Sequence, residues 1–285
     1  MIAGVRDSPL EVFVTDGARR AARFPAMHTL SDLGADANLL TPAERTSLDE
    51  RGFCFLHDCA DAIWLEAVRQ RYEELVRLEG SDLIARADYN TEFHREVGAR
   101  RLPDLVNKGV MFDRAWQHPR ILAAVAHVLK RPFRLSALSG RDALRNHGHQ
   151  ALHADWGVRA ADEPFHVVNC IWVLDGFTTT NGGTRVVPGT HRESRAPGEV
   201  LADLEAPHPD QLIACCPPGT VLVNNSHTWH GGTSNTDGTP RRTLHSYFAA
   251  LGHSQQLDQA EYLRERTAAR LTRAKRLLLL GVCRR

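Results

Sequence analysis

The period of the apolar positions divides the chain into two parts. Between residues 41 and 131 the period is helical. Thr41-Pro42-Ala43-Glu44 carries a helix start, with a capping threonine, a proline suited to the first turn and a glutamate at the capping-box position. That helix ends near Gly52, and residues 53–56 read as a short strand. A longer helix is expected over about 60–78, where Ile63, Leu65, Val68, Tyr72 and Leu75 recur near a helical period until Gly80 stops it. Residues 81–110 are polar and without period, and Pro119 leads another helix over 118–129. From residue 132 the pattern changes to short runs rich in β-branched and aromatic residues: 133–138, 165–174, 184–187, 211–215, 220–223 and 242–249. Turn clusters such as Asn181-Gly182-Gly183 and Pro217-Pro218-Gly219 separate them.

Helices first and many short strands after predict a mainly β fold, a barrel or jelly roll with a helical support layer. The expected organisation is an N-terminal arm over 1–40 and a single domain over 41–257. Within that domain, 41–131 gives helical support and 132–252 the jelly-roll core. The remaining 258–285 is a C-terminal segment whose residues 258–280 read as one helix packed on the domain.

Composition narrows the function classes. The chain has 35 Lys+Arg against 34 Asp+Glu, a balance that argues for neither nucleic acid nor a membrane surface as partner. Its basic C-terminal run, Arg264 to Arg276, is short and reads as a packing helix. None of the six cysteines stands in a C-x-x-C pair, so a zinc ribbon is not expected, and a reduced, cytoplasmic protein is. The N-terminus lacks a signal-peptide pattern, and no stretch approaches the ~20 apolar residues of a membrane span. Nothing in the pattern specifies an oligomeric state.

The chemistry centres on His153-Ala154-Asp155. On a strand, residues i and i+2 share a face, so this pair presents an imidazole and a carboxylate side by side. H-x-D alone arises often by chance. A second segment gives it weight: a turn and strand from Pro218 lead to Asn224-Asn225-Ser226-His227-Thr228-Trp229-His230-Gly231-Gly232. A second histidine would complete a two-histidine, one-carboxylate triad, which leaves three positions of an octahedral Fe(II) open. His230 and His227 are the alternatives; three residues apart, they point to opposite faces on a strand. Eleven positions past His230 stands Arg241, followed by Thr243. On a strand Arg241, Thr243, His245 and Tyr247 share a face. A buried guanidinium clamps a carboxylate with two parallel hydrogen bonds, and a threonine hydroxyl can add a third. That suits the distal carboxylate of a 2-oxo diacid; Arg242 is the alternative anchor.

These segments resemble the phytanoyl-CoA dioxygenase-like group of Fe(II)/2-oxoglutarate-dependent oxygenases. The resemblance covers roughly residues 45–250. It is carried by Gln150-Ala151-Leu152-His153-Ala154-Asp155, Val173-Leu174-Asp175-Gly176-Phe177, the run from Asn181 to Arg192, and Trp229-His230-Gly231-Gly232-Thr233-Ser234-Asn235 with Pro240-Arg241-Arg242. It implies a double-stranded β-helix (cupin-like) core. It also implies His153, Asp155 and His230 as Fe(II) ligands, Arg241 as the 2-oxoglutarate anchor, and O₂ as the oxidant. The implied reaction is hydroxylation of a small-molecule metabolite or natural-product intermediate, with release of succinate and CO₂. Halogenating relatives replace the carboxylate ligand by a small residue; Asp155 therefore favours hydroxylation or a related oxidation.

Other residues have two readings. Asn169 is a hydrogen-bond partner of 2-oxoglutarate or a satisfied core amide. Trp156 walls the substrate pocket or fills the core. Lys108 touches substrate or is a solvated lysine. His147 and His149 are expected at the mouth, and His166 and His191 as structural or rim residues. Segments 81–115 and 192–210 are expected to form a lid. Arg100, Arg101, Arg114 and Arg120 either greet an anionic substrate or belong to a solvated face. Two other functions share the pattern: a cupin-type metalloenzyme that needs no 2-oxo acid, and a non-catalytic ligand-binding relative.

Overall fold

The computed structural model describes residues 28–79, 96–157 and 159–281. The helical layer begins with α1 (His28–Asp32) and α2 (Pro42–Arg51). The capping box forms as expected: Glu44 N donates to Thr41 Oγ1 at 3.2 Å, and Thr41 N to Glu44 Oε2 at 2.8 Å. Gly52 ends α2 with φ +83°, a conformation that favours glycine. Its position is also crowded, since a Cβ there would lie 2.6 Å from the His191 ring. β1 (Phe53–Leu56), α3 (Ala62–Glu79), β2 (Ala99–Leu102), α4 (Asp113–Gln117) and α5 (Pro119–Leu129) follow.

The strands β3 (Phe133–Ala143), β4 (Val167–Val173), β5 (Thr184–Val186), β6 (Leu212–Ile213), β7 (Val221–Asn225), β8 (His230–Gly232) and β9 (Arg242–Ala250) complete two antiparallel sheets. One has six strands in the order β1-β7-β4-β9-β3-β2; the other has three, β6-β5-β8. Strand alternation gives the large sheet two unlike faces. Outward, Val168, Cys170, Trp172, Val221, Val223, Leu244 and Phe248 pack on the helices in one apolar core. Gly140 lets α3 approach closely, because a Cβ there would sit 2.5 Å from the Tyr72 ring. Inward, Phe53, Ile171, Val173 and Leu222 meet Val186, Phe177 and Ala214 from the small-sheet side. The remaining inner rows run across the strands as Arg101–Arg141–Thr243, Ser139–His245–Ile171 and Ala137–Tyr247–Asn169. Apart from Ile171 and Ala137 these residues are polar, and all but Ala137 and Thr243 line a cavity.

The expected architecture is present, with four local differences. β2 lies within the stretch read as irregular. Its Ala-Arg-Arg-Leu sequence hides the strand, because the two arginines sit on opposite faces and each is ion-paired there. β8 was not expected either, since His-Gly-Gly has no strand propensity. Residues 153–155 are not a strand; His153 makes an isolated bridge to His230. The C-terminal segment is not one helix but three: α6 (Gln259–Tyr262), α7 (Glu265–Ala268) and α8 (Arg273–Leu280). Asp258 and Thr272 each cap a new start, and Leu263 and Arg264 are extended between α6 and α7. Its arginines are used in packing, with Arg270 on Asp113 and Arg266 on Asn107 O. Cys54, Cys59, Cys170, Cys215 and Cys216 are free thiols. Among the described residues no helix is long and apolar enough to cross a membrane. Much of the expected arm (1–27), part of the expected lid (81–95) and Cys283 lie outside the described residues.

Candidate active site

Two short antiparallel contacts assemble the centre. His153 and His230 exchange backbone N–H···O bonds at 2.9 Å each, and Asp155 N donates to Ser226 O at 2.8 Å. This brings the 150–155 segment alongside β8. The imidazoles of His153 and His230 then lie 4.5 Å apart, centroid to centroid. Each Nδ1 faces a backbone carbonyl at 2.8 Å, Ala151 O for His153 and Thr228 O for His230. A carbonyl only accepts, so each Nδ1 carries a proton and each Nε2 is turned to the centre. Asp155 Oδ1 stands 3.7 Å from His153 Nε2 and 3.5 Å from His230 Nε2. The three candidate donor atoms lie within 4.8 Å of one another.

The electrostatics suit a cation. Burial by itself would raise the Asp155 pKa, but His230, by charge and hydrogen bond, and then His153 hold it well below the usual carboxylate range. Burial lowers the His230 pKa and Asp155 more than reverses this, whereas burial and the neighbouring His230 lower that of His153. Asp155 Oδ2 is buried without a hydrogen-bond partner among the described residues. A buried acceptor in that state costs stability unless something else completes it.

A second unfinished group lies in the same cavity. Arg241, directly before β9, is 2 % exposed. Its Nη2 donates to Thr184 Oγ1 at 3.3 Å, and its guanidinium lies 4.7 Å from the Phe177 ring centroid. Nε and Nη1 have no partner among the described residues. Burial, followed by the nearby Arg141, lowers its pKa well below the ordinary value. A carboxylate bound there would accept from the guanidinium and offset its charge.

The sequence profile of the phytanoyl-CoA dioxygenase (PhyH) family matches residues 48–243. The chain belongs to this family. It is thus a 2-oxoglutarate-dependent non-haem iron oxygenase, of a class that uses Fe(II), 2-oxoglutarate and O₂. An uncharacterized Mycobacterium tuberculosis protein is 27% identical over 227 residues, 74% of this chain and 76% of the relative. Dioxygenase trt7 of Aspergillus terreus is 31% identical over 112 residues, 39% of this chain and 36% of its own. Among solved structures, HygX from Streptomyces hygroscopicus with nickel and 2-oxoglutarate bound superposes with a TM-score of 0.62 at 18% identity, covering 79% of this chain and 94% of that one. EctD from S. alaskensis with bound Fe gives 0.60 at 18% identity, covering 76% and 80%. These likenesses support the jelly-roll fold.

Against this phytanoyl-CoA dioxygenase frame, the other expected site residues divide. Asn169 lines the cavity, with Nδ2 3.2 Å from His245 Nδ1 and Oδ1 buried and unpartnered among the described residues. Thr243 does not serve the anchor as expected: its hydroxyl donates to Arg141 O at 2.9 Å, and Thr184 stands at Arg241 instead. Arg242 points to the outer face, on Asp175 and Glu73. Lys108 is not at the cavity and is not solvated; it is buried in the helical layer, with Nζ on Glu79 at 2.5 Å. Trp156 packs beside Tyr247, Ala137 and Val167 and stacks on His166, outside the cavity lining. His227 turns away from the centre and accepts from His166 N at 3.2 Å. The loop 192–210 is not a lid. Leu201 packs on Leu152, Val187 and Trp229, and Arg185 ties Leu204 and Ala206 down through their carbonyls. Sequence reasoning missed Arg141, Ser139, Gln150, Thr184 and Gln256 as lining residues. Only the alternation of β3 carried a signal for Ser139 and Arg141.

Proposed function

We propose that His153, Asp155 and His230 hold one Fe(II), and that Arg241 with Thr184 grips the distal carboxylate of 2-oxoglutarate, for hydroxylation of a small polar metabolite or natural-product intermediate. One observation carries this reading: a donor triad with a free carboxylate oxygen and a buried guanidinium with two free N–H groups share one cavity. Bound iron with 2-oxoglutarate supplies O₂ activation, releasing succinate and CO₂ and leaving one oxygen atom for the substrate. The protein's share is orientation. The Ala151 and Thr228 carbonyls hold the Nδ1–H of both imidazoles, so neither ring must rotate for its Nε2 to meet a metal. Asn169 Oδ1 offers an acceptor beside His245 on the cavity floor.

A polar substrate accords with the neighbours, since HygX has been solved with hygromycin B and EctD with 5-hydroxyectoine. Free buried thiols at Cys54, Cys59 and Cys170 accord with a cytoplasmic location. The test is anaerobic titration of Fe(II) and 2-oxoglutarate. The wild type is expected to develop a weak visible metal-to-ligand charge-transfer band that His230→Ala lacks. Tight Fe(II) binding with no band on adding 2-oxoglutarate would sink the reading in favour of a metalloenzyme that needs no 2-oxo acid.

A further inference from the structure

Among the described residues, the cavity holds one cation more than the proposed reaction uses. β2 is an edge strand, and its Arg101 pairs in register with Arg141 of β3. Alternation sends Arg100 outward, to Glu73 and Asp142, and Arg101 inward to the cavity. Glu96 is shared between the two inward arginines: it accepts from Arg141 Nε at 3.0 and 3.1 Å and pairs with Arg101 as well. Arg141 is otherwise closed, with its side chain 3 % exposed and Nη2 donating to Gly148 O at 3.0 Å. The Arg101 side chain is 20 % exposed.

The charges can be paired off. A divalent metal and the 2-oxoglutarate dianion cancel. Asp155 offsets Arg241, and Glu96 offsets one of Arg101 and Arg141. Among the described residues one guanidinium charge is left, and exposure assigns it to Arg101. Asp142 does not supply the missing carboxylate, because it sits on the outer face against Arg100. Such an excess charge in a half-enclosed cavity favours an anionic occupant, and a guanidinium matches a carboxylate in shape. Ser139 and Gln256 line the same cavity and add a hydroxyl and a carboxamide.

We propose that Arg101 is the docking point for a carboxylate of the substrate, so that the enzyme acts on monoanionic carboxylic acids. This rests on the iron and 2-oxoglutarate reading above. It makes Arg101 a substrate-specificity residue, separate from the 2-oxoglutarate anchor Arg241.

The experiment uses the full chain with Mn(II) and saturating 2-oxoglutarate, without O₂, and titrates benzoate and butyrate against benzamide and butyramide by calorimetry. The acids are expected to bind at least about tenfold more tightly than their amides, and Arg101→Gln to remove that preference while Arg101→Lys keeps part of it. The affinity for 2-oxoglutarate is expected to be the same in Arg101→Gln as in the wild type. Acids that bind no better than amides, no binding of either acid, or an acid preference that survives Arg101→Gln would each overturn the proposal. So would a loss of 2-oxoglutarate affinity in Arg101→Gln, since Arg101 would then serve the co-substrate. Acid binding that depends on Arg101, combined with no charge-transfer band in the Fe(II) titration, would leave the anion site standing and remove the 2-oxoglutarate reading alone.

Discussion

The two faces of the six-stranded sheet are made by alternate residues of the same strands, yet they follow opposite rules. In β4 the outward residues Val168, Cys170 and Trp172 enter the helix-side core. Trp172 satisfies its one polar atom locally, with Nε1 donating to Ala115 O at 2.9 Å. The inward Asn169 keeps a buried oxygen without a partner among the described residues; in the same cavity so does Asp155, and Arg241 keeps two unpartnered nitrogens. The outward polar atom of β4 is paired within the chain; the inward one is left for a ligand. Buried polar groups left unsatisfied cost about 1–3 kcal/mol each. The outer face thus supplies stability, and the inner face gives some of it up for binding.

The largest expected effect separates the faces by stability. Trp172→Ala should cost about 3–5 kcal/mol in urea denaturation, as large aromatic-to-alanine changes in cores do. Succinate release per folded molecule should change little. Arg241→Gln should behave in the opposite way. Its KM for 2-oxoglutarate should rise at least about tenfold, for the loss of charge-assisted hydrogen bonds. Its urea midpoint without ligands should hold or rise, because a buried unpaired charge is removed. A fall as large as that of Trp172→Ala would break the comparison.

Ligand linkage gives a smaller effect. Mn(II) with 2-oxoglutarate at about 100 times its dissociation constant should stabilise the wild type by about 2.7 kcal/mol, read as a shift in the urea midpoint. Arg241→Gln should lose most of the part due to 2-oxoglutarate.

A further effect is in pH. On the helix side, burial lowers the pKa of His118 and His191 to about 4. Their contribution is fully present above the ordinary histidine value of 6.5 and is lost as pH falls through about 4. Asp104, raised by burial to about 6, has the opposite sign: its contribution is present below 3.8 and lost as pH rises through about 6. Melting temperatures between pH 4 and 8 should show the histidine slope flattened in His118→Gln. Asp104→Asn should stabilise at pH 7.5 and make little difference at pH 4.

Much of this was legible in the sequence because it depends on local rules. Caps and helical periods located α2, α3 and α5. Short β-branched runs located the main strands, since burial on one or both faces selects those residues. The donor types His153, Asp155 and His230 were also legible, being two segments whose chemistry matches whether or not 153–155 is a strand. Residues that act through partners distant in sequence were less so. Arg100 and Arg101 are adjacent and alike, and only the pairing of β2 with β3 decides that one meets Glu73 and Asp142 outside while the other meets Glu96 inside. Lys108 gives no local sign of the Glu79 that pairs with it. Thr243 and Thr184 are both threonines near a turn, and which one faces Arg241 is set by how the small sheet crosses the large one. The sequence by itself determined the main elements, the donor types and the class of chemistry, because propensity and ligand preference belong to single residues and short spacings. The tertiary structure alone decided which charges are compensated, because a buried charge is defined by the neighbours that folding brings to it.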